Sequence, residues 1–258
     1  MTVLVKVNAP SGTIVLNRPD KRNALTRQLL ADLKQAFEDL HGERRVRAVI
    51  LTGAGTAFCA GMDLAEMQET AGQPDALQQW HADADAYRNL VEYMLRFPKP
   101  IIAAVNGPAV AGGAGLVLAS DIVVATPDSK FGLPEPKRGI VAGIVAPMLA
   151  FRIGGGQAAN LLLTARLIAA EEAYRVGLYH EIVPHNMNWV RANELALECA
   201  QSAREALQLT KKLLNETIGE HLQTLLFAGA AASATARTTE AAAEGVAAFL
   251  EKREPKWP

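Results

Sequence analysis

Short runs of almost purely apolar residues, separated by stretches of helical periodicity, constrain this chain more than any other feature. Ile101 to Val105 contains no polar residue, Ile122 to Ala125 is equally apolar, and Val46 to Thr52 reads as a buried strand that ends at Gly53. Strands of this composition need cover on both faces, which helices supply. The region between them obliges. Thr26 can cap a helix whose apolar positions Leu29, Leu33, Phe37 and Leu40 recur at helical spacing. Asp75 to Phe97 reads as a long helix with Leu77, Trp80, Ala84, Tyr87, Val91 and Met94 on one face, stopped by Pro98 and Pro100. Nearer the N-terminus, Val3 to Val7 and Thr13 to Leu16 are β-branched runs, with Pro10-Ser11-Gly12 between them as the expected hairpin turn.

From about Trp189 the character changes. The remainder is helical, rich in Ala and Glu, and nearly free of strand signals. The organisation read from sequence is therefore an α/β core over 1–188 and a helical C-terminal region over 189–258. A chain of 258 residues, half of them hydrophobic, can bury a sizeable core. The net charge of −1 argues against a nucleic-acid partner. Cys59 and Cys199 are too few for a disulfide framework, and Cys59 lies in an apolar run that favours a buried free thiol. Neither a signal peptide nor a membrane span is expected, so the default is a soluble cytoplasmic protein without a membrane partner.

Three segments carry candidate chemistry. In Ala57-Phe58-Cys59-Ala60-Gly61-Met62-Asp63-Leu64, small residues let a ligand approach the main chain, and Asp63 can cap the helix that follows. An ordinary strand-to-helix turn has the same look. In the run from Asn106 to Leu116, a buried strand turns at Asn106-Gly107-Pro108 into a glycine-rich helix start, where Gly112 and Gly113 can present backbone N–H groups. Close helix packing also demands such residues. In Lys130 to Gly139, Glu135 stands between Pro134 and Pro136 in a loop made rigid by the prolines, which suits a positioned acid or base. A surface carboxylate paired with Lys137 or Arg138 is the competing reading.

Taken together, these segments resemble the enoyl-CoA hydratase/isomerase (crotonase) superfamily in order, spacing and content. Asn17-Arg18-Pro19 with Asn23-Ala24-Leu25 is similar to its N-terminal signature. Phe58 to Leu64 and Asn106 to Gly113 are similar to its two oxyanion segments, and Phe131-Gly132-Leu133-Pro134-Glu135 to its carboxylate loop. The resemblance implies a spiral of repeated ββα units forming two sheets, followed by a helical C-terminal trimerisation region, and a homotrimer or a homohexamer of two trimers. It implies an acyl-CoA substrate, with backbone N–H groups of Met62 and Gly112 stabilising a thioester enolate and Glu135 moving protons. Coenzyme A belongs to the substrate, and no separate cofactor or metal is implied.

One departure stands out. Family members with two catalytic glutamates carry the first where this chain has Gly115. A single carboxylate suffices to move a double bond, whereas hydration also requires a positioned water. The stretch from Gly132 to Pro147 nevertheless resembles a hydratase branch for branched-chain enoyl-CoAs, including methylglutaconyl-type substrates, that also carries Gly at this position. Hydration of a 2-enoyl-CoA to a 3-hydroxyacyl-CoA is the leading expectation. Double-bond isomerisation through Glu135 alone and non-catalytic binding of CoA esters stay open beside it.

For the coenzyme A moiety, Lys21 and Arg22 are candidate phosphate contacts. Ala24, Ala60, Gly61, Met62, Asp63, Leu64 and Gly113 are expected to touch the substrate. By resemblance, Phe249 and Lys252 of the terminal helix reach the CoA of a neighbouring subunit. Other site types fit poorly. Leu51 to Phe58 lacks the third glycine of a dinucleotide fingerprint, the histidines are scattered, and there is no Gly-x-Ser-x-Gly elbow.

Overall fold

The computed structural model describes residues 1–217 and 220–257. The N-terminal half runs β1 (Val3–Asn8), β2 (Ser11–Leu16), α1 (Arg27–Gly42), β3 (Ala48–Gly53), α2 (Leu64–Ala71), α3 (Ala76–Arg96), β4 (Ile101–Val105), β5 (Ala109–Val110), α4 (Gly112–Leu118), β6 (Ile122–Ala125) and β7 (Lys130–Gly132). Then follow α5 (Val145–Ile153), α6 (Gly155–Thr164), β8 (Leu167–Ala169), α7 (Ala170–Arg175), β9 (Glu181–Ile182), α8 (Asn188–Ala200), α9 (Arg204–Lys212), α10 (Glu220–Ala236) and α11 (Glu240–Glu251).

The strands form two sheets. The larger has the order β1-β2-β3-β4-β6-β9, with β1 and β2 antiparallel and every later pair parallel. The smaller has the order β5-β7-β8. Isolated bridges between Leu25 and Met62 and between Cys59 and Ala109 bring the loop segments alongside the smaller sheet's β5. Successive turns of the chain thus place β4 and β6 in the large sheet and β5 and β7 in the small one, each pair followed by a helix. This matches the two-sheet ββα spiral expected from the sequence.

The apolar runs owe their composition to this arrangement. Ile101, Ala103 and Val105 of β4 face the main core with Val49 and Leu51, while Ile102 and Ala104 face α8 with Ala48 and Ile50. Both faces of the central strands are therefore dry, and each fully buried Leu or Ile contributes about 1.5–3 kcal/mol. Helix α8 lies over the back of the large sheet, where Ala192 and Ala196 let it approach closely. The helical stretch that begins near Trp189 thus supplies one layer of the core as well as the later helices.

Local signals are mostly realised. Thr26 Oγ1 accepts from the Leu29 N–H at 3.2 Å, as a cap should. In α3, Trp80, Ala84, Tyr87, Val91 and Met94 are buried, whereas Leu77 in the first turn is exposed. The hairpin differs from expectation. Its turn is Ala9-Pro10, and Ser11 and Gly12 already belong to β2, paired with Asn8 and Val7. Gly12 packs closely there, since a Cβ would come within 2.7 Å of Leu40 Cδ2 and displace that side chain.

One buried side chain ties the N-terminal signature to the rest. Asn23 is fully buried, and its Nδ2 donates to the carbonyls of Ala54 at 2.9 Å, Ala57 at 2.9 Å and Phe58 at 3.2 Å. Its Oδ1 accepts the Arg18 N–H at 2.9 Å. Asn23 also takes φ +56°, a left-handed conformation that Asn tolerates better than most residues. Asn23→Ala would strand several buried polar groups, each costing about 1–3 kcal/mol. Denaturant titration of this variant is expected to show a loss of at least about 3 kcal/mol; a loss below about 1 kcal/mol would show that the neighbouring carbonyls find other partners.

Candidate functional site

The site is built around two backbone N–H groups that have no acceptor among the described residues. Leu25 donates to the Gly61 carbonyl at 2.8 Å and accepts from Asp63 N–H at 2.9 Å. Successive groups of an extended chain point to opposite sides, so the Met62 N–H between these two bonds faces away from Leu25. Asp63 then starts α2, its Oδ1 accepting from Ala65 and Glu66 N–H. Arg18 of the N-terminal signature, which the sequence left without a role at the site, holds the other carboxylate oxygen at 3.0 Å.

The second N–H belongs to Gly112, the first residue of α4, which has no intrahelical acceptor by position. Ala111 before it adopts φ +54° and ψ −125°, a conformation that L-residues rarely take. It is held there by its own N–H on the Gly132 carbonyl at 2.9 Å and by its carbonyl on Gly115 N–H at 3.2 Å. The two donor segments touch. Gly61 has φ +89°, and a Cβ on it would lie 2.6 Å from Ala111 Cβ and 3.1 Å from the Gly112 nitrogen. Only glycine lets the chain pass there.

Glu135 opens a tight helical turn over Glu135–Arg138 and is 7 % exposed. Its Oε2 has no hydrogen-bond partner among the described residues. Burial pushes its carboxyl up to about 7, against the opposing pull of its own backbone N–H and of Arg138. The surface ion pair is thereby excluded. Arg138 is half-buried rather than a surface charge. It donates to the Pro134 carbonyl at 3.2 Å and stacks 4.4 Å above the Phe249 ring.

These groups wall one cavity of about 340 Å³. Met62, Gly112 and Glu135 line it together with Lys21, Arg22, Ala24, Ala60, Asp63 and Leu64. Gly61 and Gly113, expected at the substrate, stand behind the wall instead. Gly61 packs on Ala111, and Gly113 packs on Cys59, whose Cβ a side chain at 113 would meet at 2.7 Å. Cys59 is a buried free thiol, pushed up to about 12 by desolvation.

Of the two terminal-helix residues expected at the CoA of a neighbouring subunit, Phe249 borders the cavity of its own chain, and Lys252 is exposed at the end of α11, off that cavity's wall. Close contacts seat the terminal helices on the body of the chain. A Cβ on Gly245 would lie 2.7 Å from Arg138 Cα, and a Cβ on Gly143 would lie 2.7 Å from Ser233 Oγ, with Gly229 packed against the same Gly143. Helices α10 and α11 therefore lie directly on the 135–144 segment.

Tyr87 reaches the cavity from the buried face of α3, and the sequence did not disclose its bond to the donor segment. Its hydroxyl donates to the Gly112 carbonyl at 2.6 Å, and it borders the cavity while only 4 % exposed. A Cβ on Gly115 would overlap that hydroxyl. The available signal was the coincidence of a missing side chain at 115 with a tyrosine on the facing helix.

The family profile described as enoyl-CoA hydratase/isomerase matches residues 8–258. A putative enoyl-CoA hydratase of Thermus thermophilus is 41 % identical over 95 % of this chain and 96 % of its own length. A crotonyl-CoA hydratase of Syntrophomonas wolfei is 32 % identical over 97 % of this chain and 95 % of its own. A solved enoyl-CoA hydratase/isomerase from Xanthobacter autotrophicus superposes with a TM-score of 0.90 at 27 % identity, covering 100 % of this chain and 99 % of that one. Two sheets in a ββα spiral around paired backbone donors define a crotonase-fold protein. This chain belongs to the enoyl-CoA hydratase/isomerase family, whose substrates are acyl-CoA thioesters.

The raised carboxyl of Glu135 has a stability consequence. Its folded pKa of about 7 lies above the ordinary 4.5, so between these values the folded chain keeps a proton that the unfolded chain has lost. Stability contributed by this group is present below that window and declines as pH rises through it, by up to on the order of 3 kcal/mol. Glu135→Gln carries no charge and escapes the decline. Thermal melts are expected to show the variant gaining on the parent as pH rises through the window; a gap that does not change with pH would show that Glu135 is not desolvated.

Proposed function

We propose that the chain hydrates a 2-enoyl-CoA to a 3-hydroxyacyl-CoA, with Glu135 as the acid/base and the Met62 and Gly112 N–H groups as the oxyanion donors. One observation carries the reading: a buried carboxylate with an unpartnered oxygen shares a cavity with two backbone N–H groups that have no acceptor among the described residues. Water attacks the β-carbon as Glu135 takes its proton, and the π electrons move through the α-carbon onto the thioester oxygen. The two N–H groups bind that oxygen most strongly when it bears full charge, which lowers the barrier rather than merely binding substrate. Glu135 then returns the proton to the α-carbon. Burial suits both halves, because a carboxyl with pKa about 7 accepts and releases a proton with little bias at neutral pH.

Lys21 and Arg22 are both exposed beside the cavity, where their cations can meet the CoA phosphates. Ala60 and Leu64 would flank the adenine. Gly115 in place of a second glutamate favours a second reading, in which Glu135 removes a proton from the γ-carbon and returns it to the α-carbon, moving the double bond.

Glu135→Gln is expected to keep CoA-thioester affinity and to lose at least about a hundredfold in kcat. Steady-state kinetics on a panel of straight and branched enoyl-CoAs, read for both hydration and double-bond migration, checks this. In the parent, kcat/KM for hydration is expected to rise with pH through about 7, as Glu135 becomes the base. Near-full activity of the variant would remove Glu135 from the mechanism, and migration without hydration in the parent would establish the second reading.

We also propose a trimer, or a hexamer of two trimers. Phe227 and Leu250 on the Ala-rich helices α10 and α11 are 53 % and 41 % exposed, and a partner would cover such apolar surface. Light scattering is expected to give a multiple of three chains, and a stable monomer at micromolar concentration would contradict it.

A further inference from the structure

Tyr87 occupies the space that any side chain at position 115 would need, and its chemistry there is constrained. A carbonyl oxygen can only accept, so the 2.6 Å bond to Gly112 commits the phenolic proton to that carbonyl. The phenolic oxygen retains acceptor capacity and belongs to a residue on the cavity wall. Glu135, on the same wall, has an oxygen with no protein partner. The cavity wall thus carries an unpartnered carboxylate oxygen and a phenolic oxygen with acceptor capacity left.

We infer that Tyr87 is the water-positioning residue of this site: its hydroxyl oxygen accepts one hydrogen of the attacking water while Glu135 accepts the other. The inference rests on the hydration proposed above. A water whose two hydrogens are both engaged has its lone pairs turned to the remaining direction, where the β-carbon of a thioester held by Met62 and Gly112 N–H would lie. Orientation of this kind converts a loosely held nucleophile into a near-attack one. The proton inventory stays balanced. Glu135 takes the water proton as the new C–O bond forms and delivers it to the α-carbon, and Tyr87 exchanges none. Burial, with Cys59 and Glu135 nearby, pushes the Tyr87 hydroxyl well above its ordinary value, so it remains neutral throughout. The bond to Gly112 fixes the phenol in its turn, which makes α3 and α4 one unit at the reacting centre.

This account explains Gly115 without leaving hydration unsupported. A side chain there would expel the phenol, so glycine at 115 and tyrosine at 87 are one choice rather than two. It also separates two reactions of the same pocket. Enolate formation at the α-carbon needs Glu135 and the two N–H donors, whereas hydration additionally needs the water held.

The test is Tyr87→Phe, which keeps the ring and removes the oxygen. Two rates are measured on one preparation: hydration of crotonyl-CoA, and exchange of the α-protons of butyryl-CoA for deuterium in D2O. Hydration is expected to fall about a hundredfold in kcat, the scale of a misplaced reactant. Exchange is expected to stay near the parent rate, which also certifies that the variant is folded and its oxyanion site intact. Equal loss of both rates would overturn the inference, because Tyr87 would then act only by holding Gly112 or the fold. Retained hydration would overturn it as well. If the parent exchanges α-protons but hydrates no enoyl-CoA, the hydratase reading itself fails, and the inference falls with it before any variant is made.

Discussion

The reacting centre depends on the side-chain amide of Asn23. That amide gathers the carbonyls of Ala54, Ala57 and Phe58 and the N–H of Arg18, and so fixes the loop after β3 against the segment that leads into α1. Once that register is set, Leu25 pairs across to Gly61 and Asp63, and Met62 has nowhere to direct its N–H except the cavity. Asn106 does the same from the other side, its Oδ1 accepting Gly53 N–H at 3.1 Å and its Nδ2 donating to the Gly55 carbonyl at 3.0 Å. Two side-chain amides, Asn23 fully buried and Asn106 half-buried, thus hold the loops that carry the donors. Because an amide stranded in an apolar interior is costly, the network is cooperative: losing one partner penalises the others.

Much of this was legible in the sequence because it depends on local chemistry. The strands β3, β4 and β6 announced themselves by composition, since strands covered on both faces are apolar throughout. Thr26 and Asp63 announced themselves as caps, because a helix start needs an acceptor there. Glu135 stood out for its flanking prolines. What escaped depended on the meeting of distant segments. Tyr87 reads as one more aromatic on the buried face of α3, and only the third dimension sets it against Gly115. Gly113 and Gly61 were read as ligand-facing because glycine permits close approach, but what approaches them is the protein's own chain, at Cys59 and Ala111. Arg138 looked like a surface charge because its burial comes from Phe249, more than a hundred residues later in the chain. The turn at Ala9-Pro10 was displaced by one residue because Gly12 serves the packing under Leu40 rather than the turn.

The site also shows a compromise between stability and chemistry. A carboxylate at position 135 is disfavoured by its burial, and Ala111 is held in a conformation that its side chain resists. Each is tolerated because the surrounding bonds over-determine it: the Gly132 carbonyl and Gly115 N–H for Ala111, and the proline-bounded turn for Glu135. Strain at Ala111 and desolvation at Glu135 thus meet on one cavity wall.

The glycine contacts that seat α10 and α11 on the 135–144 segment bear on how the protein comes into being. A ribosome produces Glu135 long before it produces the helices that cover it. Gly229 against Gly143 and Gly245 against Arg138 are contacts that the chain can make only once its last helices have been synthesised. The surroundings of Glu135 are therefore completed at the end of synthesis, by the part of the sequence farthest from the strands that were made first.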